Sequence, residues 1–178
     1  MSPPRRSNAR PCPFFLATPE ILWDAESLTL SVSFAGLGAA PPWTPPLVSQ
    51  IGSAVGIADP AHRLALGDLV LTGESNRLLC AFDIRRAPEA WLRHALDPIG
   101  VSTKGAVRLE AAFDDNGLAS IDVDIDMVMD EARGLLSIRR RPVIAVATWV
   151  EVATAVWVGL GDTGGIVEIR MRINRGPA

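Results

Sequence analysis

Residues 121–127 read Ile-Asp-Val-Asp-Ile-Asp-Met, a strict alternation of apolar and acidic side chains entered through Asp115-Asn116-Gly117. Period two is the signature of an extended strand with one dry and one wet face. The preceding Val107, Arg108 and Leu109 offer a partner. A two-residue Asn116-Gly117 loop would set Leu109 against Asp124 and mix the faces. A three-residue loop with Gly117 left-handed sets Leu109 against Val123, Val107 against Ile125 and Arg108 against Asp124. A slip of one residue reverses every side chain, so the apolar match selects the second register.

Similar alternation recurs. Residues 28–34 give one strand with a wet face, and 78–82 another. Leu64 and Leu66 have one parity and Leu69 and Leu71 the other, with a β-bulge expected at Gly67-Asp68. Residues 135–139, 143–158 (bent or broken) and 166–174 extend the series. The last puts Val167, Ile169, Met171 and Ile173 on one face and Glu168, Arg170 and Arg172 on the other. Helix signals are short. Thr18-Pro19-Glu20 reads as a cap, a first-turn proline and an acid ahead of Ile21, Leu22 and Trp23. Thr44 precedes helical spacing from Pro45 to Val55. Pro88 and Glu89 open a third candidate, with Arg93 and His94 suiting its C-terminal dipole. The expected fold is therefore α+β and β-dominated: an antiparallel curved sheet, sandwich or barrel with two or three short helices.

The chain has 178 residues, a length most simply met by one domain. Residues 1–17, rich in proline and arginine, read as an irregular arm, of a kind usually disordered unless Phe14, Phe15 and Leu16 dock on a neighbour. Residues 18–178 then form a single β-rich domain. A net charge of −3 gives no strong nucleic-acid signal. No apolar h-region follows Arg5-Arg6, so no secretory signal is read, and the expected location is the cytoplasm or an assembled particle. Residues 142–160 are weakly charged, but they alternate and contain Glu151, so no membrane span is favoured.

Chemistry-bearing motifs are sparse. Asp122, Asp124 and Asp126 form a candidate acidic face. Alternate strand residues stand roughly 6.6–6.8 Å apart, too far for one compact metal cage. An acidic ladder balanced by Arg108, and by Arg170 or Arg172, is expected instead. Cys12 and Cys80 are isolated, and no cofactor is implied. The glycines of 159–165 lack the Lys-Ser/Thr of a phosphate loop and read as a hairpin. His62 and His94 read as structural, and no nucleophile elbow surrounds any serine. Arg139 and Arg141 share a face that reads as a solvated strand end or as a patch meeting phosphate or a partner's carboxylate. Trp149 and Trp157 share parity among small alanines, suiting a core, a cavity or an oligomer contact. Together with Phe14 and Phe15, these four are the candidate interaction residues.

No catalytic residue can be named from this pattern. The expectation is a non-catalytic binding or assembly subunit of an oligomer or larger particle, partnered by itself or other protein subunits. The alternative is a small enzyme or hydrophobic-ligand-binding protein with a cavity under the sheet.

Overall fold

A computed structural model describes residues 16–34 and 62–173. Phe14, Phe15, Cys12 and the helix expected over 45–55 lie outside the described residues. The first strands are β1 (Glu20–Asp24), β2 (Thr29–Ser33), β3 (His62–Leu66), β4 (Leu69–Gly73) and β5 (Leu79–Arg85). Next come the two-residue β6 (Leu92–Arg93), β7 (Ser102–Lys104), β8 (Leu118–Ile121), β9 (Asp124–Asp130) and β10 (Leu135–Arg141). The chain closes on β11 (Thr148–Ala153), β12 (Val156–Leu160) and β13 (Ile166–Arg172).

These strands build two open sheets, ordered β1-β2-β5-β4-β3-β8 and β6-β9-β10-β13-β12-β11-β7. Both are mixed: β3 with β8, β6 with β9 and β11 with β7 run parallel. The α+β expectation, with an antiparallel sheet, sandwich or barrel and two or three short helices, is thus corrected. Among the described residues neither sheet closes, and the helical content is one 3-10 turn at Pro88–Ala90. The expected helix at Thr18 is the strand β1, whose Ile21 and Trp23 lie opposite Val32 and Leu30. A segment this short cannot hold a helix by propensity, and ladder pairing overrides its capping signal. The expected helix after Pro88 ends at Trp91, which turns extended, donates its indole N–H to the Arg86 carbonyl at 3.3 Å and stacks edge-on against Trp23. Arg93 is then a strand residue and His94 follows it.

One apolar core lies between the sheets. Leu30, Val32, Leu66, Leu71 and Phe82 come from the first; Met127, Ile138, Val158, Ile169 and Met171 come from the second. The parity change between Leu66 and Leu69 is not a bulge. It is a two-residue hairpin turn at Gly67-Asp68, pairing Leu64 with Leu71 and Leu66 with Leu69, so all four face the core. Reversing the chain through two residues changes sequence parity while keeping the face.

The register expected around Asp115-Asn116-Gly117 is also corrected. The turn forms with Gly117 left-handed at φ 72°, and the Asp114 carboxylate accepts the Asn116 and Leu118 N–H groups at 2.9 and 2.8 Å. The strand it launches, β8, pairs parallel with β3. The Val107 carbonyl instead accepts the Leu79 N–H, the Leu109 N–H donates to the Arg77 carbonyl, and Arg108 bridges Leu78. The alternating run 121–127 is divided between the sheets. Ile121 ends β8 in the first, Asp122 and Val123 cross over, and Asp124 opens β9 in the second.

The crossover passes against the Gly67 turn. Gly67 has φ 56°, and a Cβ there would lie 2.2 Å from the Val123 carbonyl oxygen. Gly67→Ala should therefore destabilise the protein by about 1–3 kcal/mol through a left-handed strain plus a backbone clash. Urea unfolding measures it, and Asp68→Ala in the same turn should cost less.

Candidate functional site

Directly opposed residues in neighbouring strands point to the same side of a sheet. On the second sheet this rule assembles two rows on the face turned away from the core. One row runs Asp126, Arg139, Glu168, Gly159 and Trp149 across β9, β10, β13, β12 and β11. The next runs Val128, Ser137, Arg170, Trp157 and Glu151. Arg139, Trp149, Trp157 and Asp126, named from sequence as separate candidates, thus share one face, with Arg141 opposite Asp124 at its end. Asp122 stays exposed in the crossover and does not join them. Arg108 forms a backbone bridge with Leu78, and among the described residues no ion pair joins it to these acids.

Two connections run over this face. Residues 94–101 link β6 at one edge to β7 at the other. Six interstrand spacings of a flat sheet amount to about 29 Å, and the residues from Arg93 to Ser102 reach at most about 32 Å. The strap has little slack. Leu96 is its buried anchor, packed with Val128, Leu135 and Trp157. Its N–H donates to the Asp130 carboxylate at 3.0 Å, its carbonyl accepts from Arg133, and the Asp97 carbonyl accepts from Arg170. Residues 142–147 cross nearer the other end. Val146 occupies the space left by the absent side chain of Gly159, where a Cβ would meet it at 2.8 Å.

Between the straps Glu168 and Asp126 each have an arginine partner. Glu168 accepts the Ser137 hydroxyl at 2.6 Å and the Arg170 Nε–H at 2.5 Å, and both ion-pair side chains are 8% exposed. Arg170 also lies over the Trp149 ring, 4.9 Å from its centroid. Arg141 binds Asp126 through two nitrogens, one of them at 3.2 Å. That hydrogen bond, with the charges of Arg141 and Arg139, holds the Asp126 carboxyl below the usual range against the opposing effect of burial. Asp130 is lowered chiefly by the Leu96 N–H, helped by the backbone and charge of Arg133.

The remaining chemistry-bearing residues stand apart from this face. His62, in β3, meets the Glu74 carbonyl at 3.2 Å and the Phe113 ring at 4.9 Å. His94 lies exposed at the start of the strap. Cys80 donates to the Thr72 carbonyl at 3.4 Å, and burial, with the charge of Glu74, pushes its thiol up to about 11. That thiol is protonated at neutral pH and a poor nucleophile. Among the described residues no cluster of His, Cys, Asp and Glu could hold a metal ion, and no helix is long and apolar enough to cross a membrane.

Glu168, Ser137, Gly159 and the strap were not singled out from sequence. Parity put Glu168 and Arg170 on a face expected to be wet, and nothing local announces that a strap covers it. No protein-family model matches the chain, and no curated protein matches it.

Two predictions follow from the paired charges. Arg170→Met leaves Glu168 buried with a lone hydroxyl partner and should cost about 3–5 kcal/mol, whereas Arg170→Met with Glu168→Gln should recover part of that loss. A double-mutant cycle by urea unfolding reads the difference. Asp126 and Asp130 are carboxylates with lowered folded pKa values. Their stabilisation is complete above the unfolded carboxylate range and is lost as pH falls through the folded values. Asp126→Asn should therefore flatten the acid limb of stability between neutral and about pH 3, measured as urea midpoints along that range.

Proposed function

We propose that the chain is a non-catalytic binding or assembly subunit that meets protein partners, copies of itself included, along the open edges of its sheets. Edge strands carry unused backbone donors and acceptors, and apolar side chains there favour association. The observation that carries this reading is a flank where both sheets end together. Trp23 of β1 packs edge-on against Trp91, one residue before β6, with ring centroids 5.9 Å apart. Leu22 and Trp23 are 51% and 40% exposed, and Leu28 and Leu92 are exposed as well. β8, at the other end of the first sheet, exposes Leu118 and Ile121.

Two further points favour binding over turnover. On the covered face Asp126, Asp130 and Glu168 are engaged by arginine, hydroxyl or backbone partners, and Glu151 accepts the Ala155 N–H at 3.3 Å. The space between the sheets bordered by Leu66, Leu69, Ile125 and Ile169 has no room for a water molecule. We place such a subunit in the cytoplasm or within an assembled particle.

Sedimentation velocity over a concentration series tests the reading. The full chain should associate, and Leu28→Glu with Leu92→Glu should weaken that association without lowering the thermal midpoint. A monomer at every concentration that captures no protein partner, and turns over a small molecule in a manner dependent on His62 or His94, would reject it.

A further inference from the structure

We propose that Arg139 is an oxyanion-docking residue, taking a carboxylate or phosphate presented by the partner. The inference rests on the binding reading above and adds to its sheet-edge contacts one on the outer face of β10. Arg139 stands between Asp126 and Glu168 in the ladder, the two carboxylates best placed to pair with it. Each is turned to another arginine: Asp126 accepts both bonds from Arg141, and Glu168 accepts from Arg170 and Ser137. Among the described residues the Arg139 side chain has neither a hydrogen bond nor a carboxylate within ion-pair distance, and its buried Nε meets no acceptor. The charge of Arg139 acts on Asp126 at a distance, but no carboxylate oxygen is bonded to its guanidinium.

The position selects a small planar or tetrahedral anion. Arg139 is half-buried, which removes water from the inner part of its guanidinium and strengthens any charge-assisted bond made at its outer nitrogens. Arg141 lies two residues further on the same face, roughly 6.7 Å along the strand, and is 58% exposed. It supplies a second cation at the rim, while its bond to Asp126 keeps it from competing for Arg139's place. A guanidinium presents paired donors in a plane, which matches two oxygens of one carboxylate or phosphate. Arg140 also has a buried Nε without an acceptor, but it points to the other side of the strand, towards Leu66, Leu69 and Ile138 between the sheets. Of the two, Arg139 alone stands on the outer face.

The test is a titration of the full-length protein with inorganic phosphate and, separately, acetate, at constant ionic strength. Arginine Nε–Hε resonances are followed by nuclear magnetic resonance. The Arg139 resonance should shift saturably in the millimolar range with at least one probe, while Arg108, exposed on the first sheet's side, should not. Arg139→Gln should abolish the saturable shifts of neighbouring amides, and Arg108→Gln should leave them unchanged. Should Arg139→Gln fail to fold, Arg139→Lys serves: affinity weakened several-fold supports recognition by the planar guanidinium, and unchanged affinity overturns it. Saturation by phosphate alone assigns a phosphate source; saturation by acetate as well assigns a carboxylate. Uniform, unsaturated drift of all arginines, or binding that survives Arg139→Gln, overturns the proposal. Self-association is read separately by sedimentation, so failure of the assembly reading and failure of this site are distinguishable.

Discussion

A carboxylate buried on the outward side of a sheet must find its partners where it stands, and Glu168 finds two. Ser137 reaches it from β10 and Arg170 from two residues along β13. Arg170 then carries the connection outward, stacking on Trp149 of β11 and donating to the strap at Asp97. One buried ion pair thereby touches three strands and the segment that covers them. Such a pair gives little net stability over an apolar replacement, but removing one member leaves an uncompensated charge. It acts as a constraint on register and on the path of the strap.

The strap follows from that constraint and from the sheet's width. Its ends are the two edge strands, so a single connection holds both margins of the seven-stranded sheet. Asp130 fixes its approach by accepting the N–H groups of Leu96 and Arg133 at 3.0 and 3.1 Å. Leu96 then fills the gap over Val128, Leu135 and Trp157. The opposite side of the same sheet packs against the first sheet, which explains why β9 and β13 are buried on both faces. On that covered face Arg139 stays half-exposed beside the buried Asp126 and Glu168.

Alternation made the strands legible. β2 buries Leu30 and Val32 as its pattern demands, and Ile166–Arg172 separates Val167, Ile169 and Met171 from Glu168, Arg170 and Arg172 as expected. The strand expected over 143–158 is broken at Thr154-Ala155, where Ala155 takes φ 60°, and its first residues, 143–147, are not strand but cross the sheet. Local chemistry also located the Gly117 turn and the loop between β12 and β13. Partnership was not legible. The pattern at 121–127 satisfies two sheets in succession as well as one hairpin, because a crossover at Asp122-Val123 preserves the parity. The wet face expected around Glu168 is dry because residues distant in sequence, 94–101 and 142–147, lie over it. Charge pairing failed for the same reason: Arg141 reaches Asp126 across β10 and β9, while Arg108 ends beside Leu78.

Native-state hydrogen exchange at the Leu96 amide tests the strap and its buried anchor most directly. Residues 94–100 have no regular secondary structure, and an ordinary surface loop of that kind exchanges near the intrinsic rate. The Leu96 N–H, donated to a carboxylate buried beneath the strap, should instead exchange as slowly as the amides paired between β9 and β10. Rapid exchange at Leu96 alongside slow exchange in β9 and β10 would contradict the account, since it would mean that the strap does not hold the face closed.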